Sequence, residues 1–153
     1  MNRTYTILGI PRPQGRPRFF RRGSFIGTYD PKESRQYKDN VSAQLVAQSP
    51  AMLDGAINMT VAFYLPRPKT LPKKVVHHVK KPDVDNLIKG VMDSCKGILW
   101  HDDTQVVLLS CAKHYGDPPR VVIEVGSVGV PCDVHGVPGC QSKGCEIWRE
   151  KAV

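Results

Sequence analysis

Apolar residues in this chain fall into short periodic runs separated by prolines and charges, and each period predicts an element. Thr4 to Leu8 reads as a short strand. PRPQGRPRFFRRG follows, where Pro11, Pro13 and Pro17 remove backbone donors and restrict their neighbours, so it reads as a loop. A helix is predicted next. Asp30 stands as its N-cap, Pro31 at the first helical position and Glu33 three residues after the cap, while Tyr37, Val41 and Leu45 recur at helical spacing up to Ser49-Pro50. From Ala56 to Leu65 the pattern becomes an alternation, with Ile57, Met59, Val61, Phe63 and Leu65 on one side and Asn58, Thr60 and Tyr64 on the other, as in a half-buried strand. RPKTLPKKVVHHVKKP is a basic loop bounded by prolines.

Between Asn86 and Lys96 the residues Leu87, Ile88, Val91, Met92 and Cys95 form one apolar stripe at helical period, with Lys89, Asp93 and Lys96 on the wet side. Gln105 to Tyr115 and Arg120 to Val125 are β-branched runs joined by GDPP, which predicts a hairpin or a tight connection between two strands. The order β-α-β-α-β-β predicts an α+β fold, with two main helices on one face of a small mixed sheet. Periodicity ends near Gly126, so one domain is expected over residues 1–125 and a Cys-rich tail over 126–153.

A chain of 153 residues accommodates one domain with a short appendage. Its 41% apolar and 24% charged residues exclude a disordered or collagenous chain. No apolar run approaches the ~20 residues that span a bilayer, and MNRTYTILGI lacks the basic region and apolar core of a signal peptide. The expected address is the cytoplasm, with no membrane partner. The net charge of +8 is more informative when divided. Residues 1–40 carry +6, residues 66–82 another +6, and residues 83–103 carry −3. Two basic stretches around one acidic cluster favour a polyanionic partner and a metal.

The acidic cluster has a pattern suited to that chemistry. PDVDN sets Asp83 and Asp85 two apart on an extended segment, where side chains i and i+2 point the same way. Two carboxylates facing one point repel unless a cation lies between them. Asp102 and Asp103 follow the second helix, and the returning chain is expected to bring a third carboxylate to the same place. A small set of hard oxygen ligands with room for water and phosphate suits Mg²⁺. Each residue also has a plain structural explanation, with Asp85 as a helix N-cap, Lys89 as an i,i+4 partner of Asp85 or Asp93, and Asp102 and Asp103 as loop polarity. Beside two basic stretches, all of these holding together is the weaker account.

KKPDVDNLIKGVMDSCKGILWHDDTQVV resembles the signature of the RusA family of Holliday junction resolvases. GIPRPQGRPRFFRRG and YDPKESRQYKDNV resemble the arginine loop and first helix of its phage-type members, and AKHYGDPPRVVIEV is similar to the family's closing strands. The resemblance spans about residues 1 to 125. It implies an endodeoxyribonuclease of recombination and repair, dependent on Mg²⁺ with Mn²⁺ as a substitute, that resolves four-way or branched DNA inside a bacterial or phage-infected cell. It further implies Asp83, Asp85 and Asp103 as catalytic metal-binding carboxylates, Asp102 as a secondary ligand, and Lys89 as the basic residue that assists at the scissile phosphate. Arg12, Arg16, Arg18, Arg21, Arg22, Lys73, Lys74, Lys80 and Lys81 would hold DNA phosphates. The family acts as homodimers, because two symmetric cuts need two equal sites. The expected reaction is in-line attack of water activated by Mg²⁺.

In the tail, Cys132, His135, Cys140 and Cys145 form C-x2-H-x4-C-x4-C, the spacing of a zinc knuckle with the histidine moved from third to second place. Such a set suits Zn²⁺, and the other reading is a disordered tail with incidental cysteines. Cys95 on the helix stripe and Cys111 in a strand read as core residues, Trp100 as packing before Asp102, Trp148 as a tail surface residue, and His77 and His78 as phosphate contacts or idle loop polarity. The alternative to an enzyme is a non-catalytic nucleic-acid-binding protein whose knuckle grips single strands. A nucleotide-sugar transferase also uses D-x-D, but needs a larger fold than ~125 residues supply.

Overall fold

The alternating segment lies inside the sheet of the computed structural model, which describes residues 2–128. Its elements are β1 (Arg3–Leu8), β2 (Arg18–Arg22), β3 (Phe25–Tyr29), α1 (Lys32–Ala47), β4 (Ile57–Leu65), α2 (Val84–Cys95), a single 3-10 turn (Asp103–Gln105), β5 (Val106–Tyr115) and β6 (Arg120–Ser127). Four strands form one mixed sheet in the order β1-β6-β4-β5. β6 is antiparallel to both neighbours, whereas β4 and β5 are parallel and joined through α2. This is the expected α+β architecture, with a second, two-stranded sheet added by β2 and β3.

One face of the large sheet is apolar. Tyr5 and Ile7 of β1, Met59, Val61 and Phe63 of β4, and Ile123 and Val125 of β6 are buried there with Tyr37, Val41 and Leu45 of α1 and Leu87, Val91 and Cys95 of α2. Both helix stripes read from the sequence are therefore core. Trp100, just beyond α2, is fully buried and closes the core.

Two expectations change, and one is decided between its alternatives. GDPP is the tight connection between β5 and β6 rather than a hairpin, because β4 lies between them. A parallel β4-α2-β5 crossover leaves the open side of β4 for β6, so the connection must pass over the end of β4. Gly116 makes that passage, donating its N–H to the Leu65 carbonyl at 2.9 Å; a Cβ there would lie 2.8 Å from Tyr64 Cβ. Second, the arginine loop is only partly a loop, since RFFRR and FIGTY pair across Gly23-Ser24 with Gly23 at φ 63°. Third, Asp30 does not cap α1. Pro31 is the N-cap, and the Asp30 carboxylate instead takes the Lys38 ammonium, a charge-assisted bond stronger than a cap.

Candidate active site

At the start of α2, Asp83 is the N-cap residue, in extended backbone geometry, and its side chain makes no capping bond. Asp85 lies in the first turn. Both are exposed, and neither carboxylate has a salt-bridge or side-chain hydrogen-bond partner among the described residues. Lys89, one turn further on, is also exposed and unpaired there, since Asp93 binds Lys38 rather than Lys89. The capping and i,i+4 explanations of these residues are thus not realised. Two carboxylates stand at the positive end of a helix, where anions are favoured, with the Lys89 ammonium one turn along.

Two features that the sequence did not disclose hold this end in place. Lys113 on β5 lies on the helix side of the sheet, in register with Phe63, and its ammonium donates to the carbonyls of Lys80 at 3.0 Å and Pro82 at 2.6 Å. It thereby fixes the backbone immediately before Asp83. The segment after β1 docks on the same helix. Gln14 donates its N–H to the Asn86 carbonyl at 2.8 Å, Gly15 donates to Ser34 Oγ, and Gly90 gives room for Gln14, Tyr37 and the Arg12 carbonyl. Lys38 ties α1 to both Asp30 and Asp93; burial disfavours its charge, but these two carboxylates prevail and raise its pKa. Lys38 in turn draws the Asp30 pKa down. The only sequence hint of Lys113 was a lysine inside an apolar strand.

The other two aspartates lie at the far end of α2. A twelve-residue helix is about 18 Å long. Asp102 accepts from Lys96 Nζ at 2.6 Å and from the Thr104 N–H at 3.0 Å, and forms a capping box with Gln105. The Lys96 ammonium, helped by Thr104, brings its pKa down to about 2. Asp103 accepts the Trp100 indole N–H through Oδ1 at 2.8 Å. Its charge adds to the effect of burial in raising the pKa of Cys95, the last residue of α2. Asp102 is therefore committed to the local turn, whereas Asp103 retains a second oxygen. No group of three His, Cys, Asp or Glu placed to hold a metal occurs among the described residues. Within one chain, Asp83 and Asp85 fit part of an oxygen ligand set, and Asp103 does not complete it.

The expected phosphate contacts lie at the surface. Arg12, Arg16, Arg18, Arg21, Arg22, Lys73, Lys74, Lys80 and Lys81 are all exposed. Arg12 lies 3.6 Å from Glu33. Arg67 instead folds inward, donating to the Pro72 and Val75 carbonyls and stacking over Tyr115. His77 and His78 also have a structural place, with His77 against His114 and His78 against Tyr115, so they fasten the basic loop to β5. Burial and the nearby Lys113 charge lower the His78 pKa. Cys95 is buried and Cys111 partly buried at the core margin. Cys132, His135, Cys140, Cys145 and Trp148 lie outside the described residues.

A mixed sheet backed by two helices thus sets two carboxylates, without side-chain partners among the described residues, at a helix start that follows a polycationic segment. The chain matches the family described as Endodeoxyribonuclease RusA over residues 9–126, and it belongs to that family. It is also 33% identical over 135 residues to the uncharacterized protein YqaN of Bacillus subtilis strain 168, covering 81% of this chain and 95% of that protein. Among the described residues, no helix is long and apolar enough to cross a membrane.

Proposed function

We propose that the chain is a Mg²⁺-dependent endonuclease that cuts four-way or branched DNA as a homodimer, within a domain spanning residues 1–125. The observation that carries this reading is the uncommitted pair Asp83 and Asp85 at the head of α2, with Lys89 one turn along and the arginine segment docked on the same turn. When bound there, Mg²⁺, or Mn²⁺ in its place, supplies Lewis-acid polarisation of the phosphate and a nucleophile at neutral pH. Lys89 offsets negative charge that grows on the phosphate oxygens in the transition state. The exposed arginines and lysines hold flanking phosphates, and Lys113 keeps the Asp83 segment from shifting. The tail cysteines and His135 are a proposed Zn²⁺ set, for which bound zinc per chain, and its loss in Cys140→Ser, is the measurement.

A second copy supplies the carboxylate that one chain lacks. Support comes from the edge of β5. Its C-terminal half is covered, because His77 bridges to His114 and Tyr115 donates to the Val76 carbonyl. Its N-terminal half has no cover among the described residues and carries the exposed Val107, Leu108 and Leu109, an edge suited to strand pairing. An antiparallel contact centred on Leu108 sets Asp103 level with Lys113 of the partner subunit, next to the partner's Asp83. Each metal site then takes Asp83 and Asp85 from one chain and Asp103 from the other.

The test has two parts. Nicking of four-way junction, flap and linear duplex is compared with Mg²⁺, with Mn²⁺ and with chelator; binding without any metal-dependent cut rejects the nuclease. Next, Asp85→Asn and Asp103→Asn, each inactive alone, are mixed and allowed to exchange subunits. Shared sites restore one intact site per heterodimer and recover single nicks. Sites confined to one chain recover nothing.

A further inference from the structure

The β2–β3 hairpin lies outside the large sheet and keeps its rings in water. Cross-strand register places Arg18 opposite Tyr29, Phe20 opposite Gly27 and Arg22 opposite Phe25, so all six residues share one face. On that face the Phe25 and Tyr29 rings lie 6.1 and 6.2 Å from the Phe20 ring. Exposure is 42% for Phe20, 63% for Phe25 and 42% for Tyr29. Gly27 is what permits the row, because a Cβ there would come within 2.6 Å of the Phe20 ring. The result is a strip of three aromatic rings flanked by Arg18 and Arg22.

We propose that this face is a stacking platform for bases left unstacked at the branch point of the DNA, with Arg18 and Arg22 on the adjoining phosphates. The inference rests on the nuclease reading and deepens it by naming what selects branched DNA over linear duplex. Three arguments favour DNA as the occupant. Residues 10–29 contain five arginines and no acid, so two copies of the hairpin repel each other and a polyanion is drawn in. Every base has a face that stacks on an aromatic ring, but in a continuous duplex those faces are already occupied. The hairpin also starts four residues after Gln14, which is bonded to α2 beside Asp85, so one ligand can reach both places.

Binding is measured in the Asp85→Asn background, so that cutting does not consume the substrate. Phe20→Ala and Phe25→Ala are each expected to weaken four-way junction binding about five- to a hundredfold, with a smaller loss on linear duplex. The slope of log K against log salt stays constant, since no charge is removed, whereas Arg18→Gln makes it shallower by about 0.9. Phe20→Trp, which keeps a ring, restores junction binding. No loss in the alanine variants, or equal loss on junction and duplex, overturns the platform. So does a dimer that falls to monomer in Phe20→Ala on sedimentation, which would assign the face to a second copy. Nicking by the unmodified protein is scored in parallel: its absence rejects the nuclease reading, whereas intact nicking with unaffected alanine variants rejects only the platform.

Discussion

The two ends of α2 carry the same residue type in opposite conditions. At its start, Asp83 and Asp85 are exposed and bonded to no other side chain among the described residues, while the backbone on either side of them is held by Lys113 and Gln14. Past its end, Asp102 is consumed by Lys96 and the Thr104 N–H, and Asp103 leans on a buried indole. A carboxylate that stabilises its own turn has few lone pairs left for a ligand. One that is anchored only through its backbone retains them, and leaving it so favours a role in binding over a role in folding.

The contrast predicts a descending series of effects. Asp85→Asn removes one of the two proposed ligands and is expected to cost at least about a thousandfold in cleavage, roughly 4 kcal/mol of transition-state stabilisation, while junction binding persists. Cleavage at the unmodified rate would remove Asp85 from the site. Lys113→Met leaves both carboxylates in place but releases the backbone before Asp83, and about a ten- to hundredfold loss is expected in Mg²⁺ affinity. Titration of Mg²⁺ against activity reads this, and Lys113→Arg should recover part of it.

Trp100→Phe deletes the donor to Asp103 and keeps most of the ring. A further, smaller loss of about tenfold in Mg²⁺ dependence is expected, and a fall in stability with no metal effect would confine Trp100 to packing. The smallest effect belongs to Asp102→Asn, which should leave Mg²⁺ dependence nearly unchanged and alter only acid stability. Because the folded pKa of Asp102 is held at about 2 against an ordinary 3.8, its contribution is present above pH 4 and lost as pH falls towards 2. Acid unfolding of the variant should therefore show a shallower fall in that window than the unmodified protein. Equal slopes would mean the Lys96 contact is not maintained in solution.

The other edge of the sheet sharpens the case for a partner at β5. Gln44 bonds both the N–H and the carbonyl of Leu8, and Gln48 does the same for Thr6, so two glutamines of α1 act as a surrogate strand along β1. The N-terminal part of β5 has no such cover among the described residues and carries three exposed apolar side chains. Among those residues one edge is closed by the chain itself, and the other is left for pairing.

Local pattern determined most of the architecture. Alternation at 57–65 and the helical stripes at 37–45 and 87–95 are set by which residues can be buried together, and the structure buries them as written. The motif at 83–89 and the arginine density were likewise legible, because they are runs of adjacent residues. Tertiary structure alone decided what depends on distant neighbours. Whether GDPP closes a hairpin depends on where β4 already lies. The use of Asp30 depends on Lys38 lying within reach. Lys113 as the anchor of the segment before Asp83 needs strand register, and the separation of Asp83 from Asp103 follows from the twelve-residue helix between them. Sequence spacing counts residues along the chain, but a site forms in space, and a rigid helix keeps its two ends apart.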